Sequence, residues 1–327
     1  MEGIMKGKVI AVTCSDVHLT LNAPVSRSAE PDWLEAQGRI LDQVDALAKM
    51  HGAPVIYAGD IFHKWNASPE LINWAAARLP NGWAVPGQHD LPLHNYEDMY
   101  KSAFHTLVEI GVLMYMPVND PSVLSTFNHS HPKMKTVLHA FPWGTPIKFP
   151  EKTDKQREDW DEEGHIQIAV VHKYIWKSGK TYVGAPDEEK LSAYKKNLEG
   201  FDVAVFGDNH KAFKGRSGDC LVLNNGCLIQ RKSDEAPFQP TVGLIKIEDN
   251  VISTEVVELD TSKDQWSIDT SMTADAEEVR EDMKGFLDCL KQMGADGFSF
   301  RDAVIHYMAD HTVSDGVKKI LLEAMED

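Results

Sequence analysis

Cysteine is scarce in this sequence and poorly spaced for cross-linking or metal capture. Cys14, Cys220, Cys227 and Cys289 are the only four among 327 residues, and no two form a C-x-x-C pair. That excludes a zinc ribbon and a disulfide framework and leaves reduced, partly buried thiols. Long apolar runs are missing too: none approaches the roughly 18 residues of a membrane span. The N-terminal stretch Met1 to Lys8 leads into a strand-like run without a small-residue cleavage site, so no secretory signal is expected. The expectation is a cytoplasmic protein with no membrane partner. Internal repeats and low-complexity tracts are absent, and 43% apolar with 25% charged residues excludes wholesale disorder.

Positive charge is in short supply, 33 Lys and Arg against 50 Asp and Glu, for a net charge of −17. The deficit is uneven. Residues 1–246 hold 26 basic and 30 acidic side chains, whereas 247–327 hold 7 and 20. A near-neutral body can present a local basic face, while the acidic C-terminal stretch is unsuited to lie on phosphates and reads most simply as a solvated surface.

The first half alternates strand and helix. Lys8 to Ser15 is apolar and β-branched and stops at Asp16. Trp33, Ile40, Leu41, Val44, Leu47 and Ala48 then recur at helical spacing up to His51-Gly52. Pro54 to Ala58 predicts a second strand. Ser68-Pro69-Glu70 opens a helix that Pro80-Asn81-Gly82 ends. A third strand at 83–85, a helix over about 96–110 and strands near 112–116 and 137–141 follow. A charge-dense stretch, 148–164, reads as an exposed insertion. Beyond it come a strand at 166–171, a helix near 188–198, a strand at 203–206 and β-rich segments at 220–230 and 242–259, the last with a turn at Glu248-Asp249-Asn250. From Ala274 the pattern is helical. The fold class this implies is a layered α/β structure, a β-sheet sandwich flanked by helices with a small α+β C-terminal extension. The domain division expected is 1–260 and 261–327.

Every informative polar cluster directly follows a predicted strand, where open α/β sheets place ligands. The clusters are Asp16-Val17-His18, Gly59-Asp60-Ile61-Phe62-His63, Gly87-Gln88-His89-Asp90, His172, and Gly207-Asp208-Asn209-His210. Together they offer carboxylates, imidazoles and an amide, a mixed oxygen and nitrogen set suited to Mn²⁺, Fe²⁺, Mg²⁺ or Zn²⁺. Taken singly, each has a plainer reading: Asp16 and Asp60 as helix caps, the glycines as turn residues, His172 as a core histidine. Five such loops in order make that joint reading improbable. His94, His105, His139, His306 and His311 read as packing or surface residues, and His129 and His131 as loop.

The ordered set D-x-H, G-D, G-x-H-D, H and G-x-x-H resembles the calcineurin-like metallophosphoesterases over roughly residues 8–245. The G-D-x-F-H reading at Gly59 to His63 is most similar to the SbcD-type DNA double-strand-break repair nucleases, phage-encoded relatives included. For a phage-encoded chain the location would be the host cytoplasm. The resemblance implies two divalent ions, Mn²⁺ first with Mg²⁺, Fe²⁺ or Zn²⁺ as alternatives. Asp16, His18, Asp60 and His210 would hold one, and Asp60, Gln88, His172 and Asp208 the other. It further implies that His89 protonates the leaving oxygen or steadies the phosphate, with Asp90 orienting its imidazole and His63 as a second phosphate-side histidine. Gln88 stands where the family has Asn, and Asp208 where it has the first His of G-H-x-H. Both remain competent ligands, and the added carboxylate makes the second site harder and less positive.

The activity expected is a metal-dependent phosphodiesterase that uses a metal-activated water, a DNA exonuclease or endonuclease subunit with DNA as substrate. Lys173, Lys177, Lys180, Lys211, Lys214 and Arg216 follow the metal-site loops and could hold the DNA backbone. An SbcC-type ATPase partner is implied, docked through the C-terminal region, with a homodimer as a further assembly. Two other classes compete: a phosphoesterase for nucleotides, cyclic phosphodiesters or RNA ends, and a catalytically silent metal-binding scaffold.

Overall fold

The computed structural model describes residues 7–118, 122–124, 135–149, 165–177, 185–233, 235–249 and 251–267. Residues 150–164 of the insertion expected over 148–164, together with His129, His131, Lys180, Cys289, His306, His311 and the helical pattern from Ala274, lie outside the described residues. The chain divides into two compact units. The first comprises Met1–Asn22, Asp32–Gln230 and Phe238–Asp264. The second comprises Ala23–Pro31, Arg231–Pro237 and Gln265–Asp327.

The first unit is built on two six-stranded sheets. One contains β1 (Lys8–Cys14), β2 (Val55–Ala58), β3 (Gly82–Val85) and β4 (Leu113–Tyr115) in parallel, completed by the hairpin β11 (Thr241–Glu248) and β12 (Val251–Glu258) in the order β12-β11-β1-β2-β3-β4. The other sets β6 (Thr136–Phe141), β7 (Ile166–His172), β8 (Val203–Gly207) and β10 (Cys220–Asn224) parallel, between antiparallel edges β5 (Ser122–Leu124) and β9 (Phe213–Ser217). Continuous burial explains why these strands read as unbroken apolar runs: every residue of β2, β7 and β8 is buried. Ile10, Ile56, Val85, Leu138, Ile168, Val205, Leu223 and Ile245, drawn from both sheets, form one core cluster. A second cluster covers the other sheet with Phe141, Val171, Leu191, Tyr194, Phe201 and Phe206.

The helices start where the sequence signals them. Asp32 accepts from Glu35 N–H to cap α1 (Trp33–His51), which ends at Gly52 in the left-handed region. Ser68 caps α2 (Pro69–Arg78), with Pro69 in its first turn. Two expected helices differ. The stretch 96–110 is a short 3₁₀ segment, Tyr96–Lys101, followed by α3 (Ala103–Glu109), because Ser102 is extended and turns its hydroxyl back to cap His105 N–H. The stretch 188–198 forms 3₁₀ turns instead of an α-helix. Lys190 is drawn out into a parallel bridge with Trp176, whose N–H donates to Glu189 O and whose carbonyl accepts from Leu191 N–H. Strand β9 went unpredicted, since Lys214, Gly215 and Arg216 interrupt any apolar pattern there.

In the second unit Arg27 is buried and pairs with Glu30 at 2.6 Å, lies over the Trp266 ring, and leaves Glu30 also accepting from Gln265 N–H. Among the described residues no helix is long and apolar enough to cross a membrane.

Candidate metal centre

The parallel strands β1, β2, β3, β7 and β8 deliver their C-terminal ends to one rim, and all five predicted clusters meet there. Pairing continues past the strands: Asp16 N–H donates to Gly59 O and His18 N–H to Asp60 O, and an isolated bridge joins Leu19 to Phe62. Asp16, His18, Asp60 and Asp208 all have positive φ, between 49° and 79°. A non-glycine residue in that region costs about 1–2 kcal/mol, and such strain clusters where a site dictates side-chain direction.

The glycines of the clusters are required for close approach. A Cβ on Gly87 would sit 2.0 Å from Asp60 Oδ1, one on Gly59 2.1 Å from His172 Nδ1, and one on Gly207 2.2 Å from Ala58 O. Real atoms do not approach so closely, so these positions exclude every side chain.

Asp16 and Asp60 are fully or almost fully buried and face imidazoles. Asp16 Oδ1 lies 3.9 Å from His18 Nε2 and 3.8 Å from His210 Nε2, while Asp60 Oδ2 lies 3.6 Å from His18 Nε2 and 3.3 Å from His172 Nε2. His18 Nε2 and His210 Nε2 are themselves only 3.1 Å apart. Asp16 also accepts from Asp208 N–H through both oxygens, and Asp60 Oδ1 accepts from His89 N–H. Asp60 thus stands between the two groups of imidazoles, as a bridging ligand must.

Whether these residues suit divalent cations is decided by what the ring nitrogens face. His172 Nδ1 lies 2.6 Å from Ala58 O, an acceptor, so it carries a hydrogen. Its Nε2 then faces two more acceptors, Gln88 Oε1 at 2.7 Å and Asp60 Oδ2 at 3.3 Å. Such a nitrogen is satisfied only by a second proton or by a cation shared with those oxygens. The donor set fits two hard or borderline divalent ions, Asp16–His18–His210 on one side and Asp60–His172–Gln88 on the other.

The two residues that depart from the family pattern touch each other. Gln88 Nε2 donates to Asp208 Oδ1 at 2.8 Å, while Gln88 Oε1 faces His172. Asp208 accepts only, so it holds the amide with oxygen toward the cation side and nitrogen away. Its second carboxylate oxygen stays available.

Without cations the charges are set by burial and mutual contact. Burial pushes Asp16 up to about 6 despite the favourable pull of His210 and His172. Burial also opposes ionisation of Asp60, yet the charge and hydrogen bond of His172 and the His89 contacts hold it below the usual carboxylate range. His172 loses by desolvation and gains more from Asp60, Asp16 and Asp208, and ends at about 10. A proton on His172 Nε2 and a divalent cation would therefore compete for the same place.

Asp90 has a different role from the one the resemblance implies. Its carboxylate is buried and accepts three backbone N–H groups, from Gly87 and Ile61 on Oδ2 and from Phe62 on Oδ1. It ties the β2 and β3 loops together. Burial and then the Asp60 charge push it up to about 7. The His89 imidazole is oriented by the His63 carbonyl, 2.7 Å from Nδ1. His63 stacks on His89 with ring centroids 5.2 Å apart, and both rings lie edge-on to His18.

A sixth loop supports the centre, in a stretch whose sequence pattern shows only β-rich character. After β10, Asn224 Nδ2 donates to Asn209 O and Lys211 O, Asn225 Nδ2 donates to Thr13 Oγ1, and Gly226 O accepts from Ser15 Oγ. Leu228 N–H donates to Asp16 O and Cys227 N–H to His210 O. The signal was present in Asn224-Asn225-Gly226, a polar cluster at a strand end like the other five.

A calcineurin-like phosphoesterase family model matches residues 11–212. Among solved structures the chain is similar to a putative 5′-nucleotidase from Staphylococcus aureus (14% identity, TM-score 0.46, covering 85% of this chain and 58% of that one). It is also similar to a 5′-nucleotidase precursor from Thermus thermophilus (14% identity, TM-score 0.44, covering 84% and 59%). An archaeal phosphodiesterase matches at 13% identity and a TM-score of 0.34, covering 76% of this chain and 99% of its own. The chain spans less than two thirds of either nucleotidase. No curated protein matches it.

Two outcomes are expected of the centre. Gly87→Ala, whose methyl would displace the Asp60 carboxylate, should weaken divalent-cation binding on the order of 100-fold by calorimetric titration, a size typical of disturbed ligand support. An unchanged affinity would show that Asp60 is not a ligand. Cation affinity should also rise with pH. Ligation requires His172 Nε2 without its proton and Asp16 ionised, so raising pH from about 6 toward about 9 removes competing protons, at up to about tenfold per proton per pH unit. A flat profile would contradict the protonated His172.

Proposed function

We propose that this chain, which belongs to the calcineurin-like phosphoesterase family, is a two-metal phosphodiesterase of nucleic acid, an SbcD-type DNA exonuclease or endonuclease subunit. Divalent cations held by the Asp and His ligands supply Lewis acidity, lowering the pKa of a water and neutralising charge on the phosphate oxygens. The side chains of the protein supply position. Asp60, fixed by His89 N–H, keeps its charge between the imidazoles. Gln88, aimed by Asp208, presents an amide oxygen beside His172. His89 donates Nδ1–H to His63 O, so its Nε2 is the atom available to hand a proton to the leaving oxygen or to steady the phosphate. His63, stacked against it, holds the ring plane.

The observation that carries the nucleic-acid reading is the basic edge strand β9. It begins three residues after His210, and Lys214 and Arg216 are both exposed on one of its faces. Lys177 Nζ donates to Lys214 O, which brings a third cationic side chain to the same edge. A row of cations beside a phosphoester site suits a polyanion longer than one phosphate, whatever the net charge of the whole chain. Mn²⁺ is the proposed ion, because the amide and the third carboxylate favour a hard cation. A role in DNA repair with an SbcC-type ATPase partner belongs to the same proposal and rests on the G-D-x-F-H resemblance.

The test is Mn²⁺-dependent hydrolysis of linear double-stranded DNA beside bis-p-nitrophenyl phosphate, with Asp60→Ala as the blank. Both substrates should be cleaved and both activities lost in the variant. DNA cleavage alone should fall roughly 10–100-fold between about 50 and 200 mM salt as counterion release is suppressed. Ester hydrolysis with intact DNA at every salt concentration would overturn the nucleic-acid reading.

A further inference from the structure

Three imidazoles meet beside the paired carboxylates in an arrangement of their own. One ligand nitrogen from each of His18, His63 and His89 lies within 4.8 Å of the other two. The His63 and His89 rings are stacked, 5.2 Å apart and 22° from parallel, and the His18 ring stands edge-on to both, 5.7 and 4.8 Å away. Two bonds of about 2.0–2.1 Å at a tetrahedral angle place ligand nitrogens about 3.4 Å apart. To hold one ion the rings need to close by about 1.4 Å at the widest.

His89 is wired as a metal-binding histidine is. Its Nδ1 donates to a main-chain carbonyl, His63 O, at 2.7 Å, as His172 Nδ1 does to Ala58 O, and this leaves Nε2 as the coordinating atom. His18 and His63 are buried, whereas His89 is half-buried, so the set is reached from solvent through His89. An ion held by three side chains keeps a fourth position for water or an anion. The donor chemistry differs from that of the hydrolytic centre. Asp16, Asp60 and Gln88 bring oxygen to that centre, while His18, His63 and His89 bring nitrogen alone. A nitrogen-only set selects Zn²⁺ and its late first-row neighbours over Mn²⁺ and Mg²⁺.

We propose that His18, His63 and His89 form a separate zinc site that switches the hydrolytic centre off. Zn²⁺ bonded to His89 Nε2 displaces the proton that this atom would hand to the leaving oxygen. The set also shares His18 with Asp16 and His210, so the same ion draws a ligand away from the first of the two hydrolytic cations. The inhibitory effect rests on the role given to His89 above; the zinc site does not.

The test is X-ray absorption at the zinc edge on the full chain, given one equivalent of Zn²⁺ in the presence of saturating Mn²⁺. Imidazole scattering should count three histidines on zinc. Exchange into the hydrolytic centre would instead give two, His18 and His210, or one, His172, each with carboxylate oxygen. His63→Ala keeps the carbonyl that orients His89 and removes one nitrogen. In that variant the imidazole count should fall below three and Zn²⁺ affinity by at least about tenfold, while Mn²⁺ affinity holds. Two or fewer imidazoles in the unmodified chain, or three that survive His63→Ala, would overturn the zinc site. Three imidazoles, lost in His63→Ala, together with Mn²⁺-supported hydrolysis of bis-p-nitrophenyl phosphate undiminished by the zinc, would keep the site and overturn both its inhibitory effect and the proton-donor role of His89.

Discussion

Three carboxylates taken out of water at one rim are the constraint on which the rest of this structure depends. An ionised carboxylate removed from solvent must be met by hydrogen-bond donors or by a cation. Asp90 is met entirely by backbone N–H groups of the two loops it joins. Asp60 takes one N–H from His89 and otherwise faces His18 and His172, and Asp16 takes Asp208 N–H and faces His18 and His210. The first carboxylate is therefore a structural clamp. The other two face imidazole nitrogens across 3.3 to 3.9 Å, and a divalent cation held between them would be shared by carboxylate and imidazole.

Several costs elsewhere follow from that arrangement. The positive φ values of Asp16, His18, Asp60 and Asp208 are held because each of the loops they sit on is bonded to a neighbour before solvent is reached. Gly59, Gly87 and Gly207 lack side chains because His172, Asp60 and the Ala58 carbonyl occupy the space a Cβ would need. The Gln88–Asp208 contact shows how a longer amide and a carboxylate fit where a shorter amide and an imidazole would be expected: each fixes the other through Gln88 Nε2 and Asp208 Oδ1. The basic strand β9 follows directly on the loop that carries His210.

Much of this was legible in the amino-acid order. The parallel strands could be read because burial on both faces makes them apolar throughout, and the polar clusters that meet at the rim because each follows such a strand. Helix starts at Asp32 and Ser68 were legible from their caps. What escaped depended on partners remote in sequence. The run 188–198 has helical spacing, but the bridge from Trp176 to Lys190 pulls it open. Asp90 adjoins His89 in sequence, yet its carboxylate turns to Gly87, Ile61 and Phe62, and His63 O takes over the imidazole. Asn224 and Asn225 looked like the end of a β segment, since their role lies in contacts to Asn209 and Thr13. Local pattern encodes where a loop begins; it does not encode which backbone group a buried acid will choose.

A rim arranged in this way would take a pair of divalent cations with Asp60 shared between them. The decisive measurement is the number of Mn²⁺ ions bound to the metal-free chain by calorimetric titration, for the unmodified protein and for Asp60→Ala. Two ions per chain are expected, with the loss or marked weakening of both in the variant, because Asp60 faces His18 on one side and His172 on the other. A single ion in the unmodified chain, or two retained at full affinity without Asp60, would contradict it.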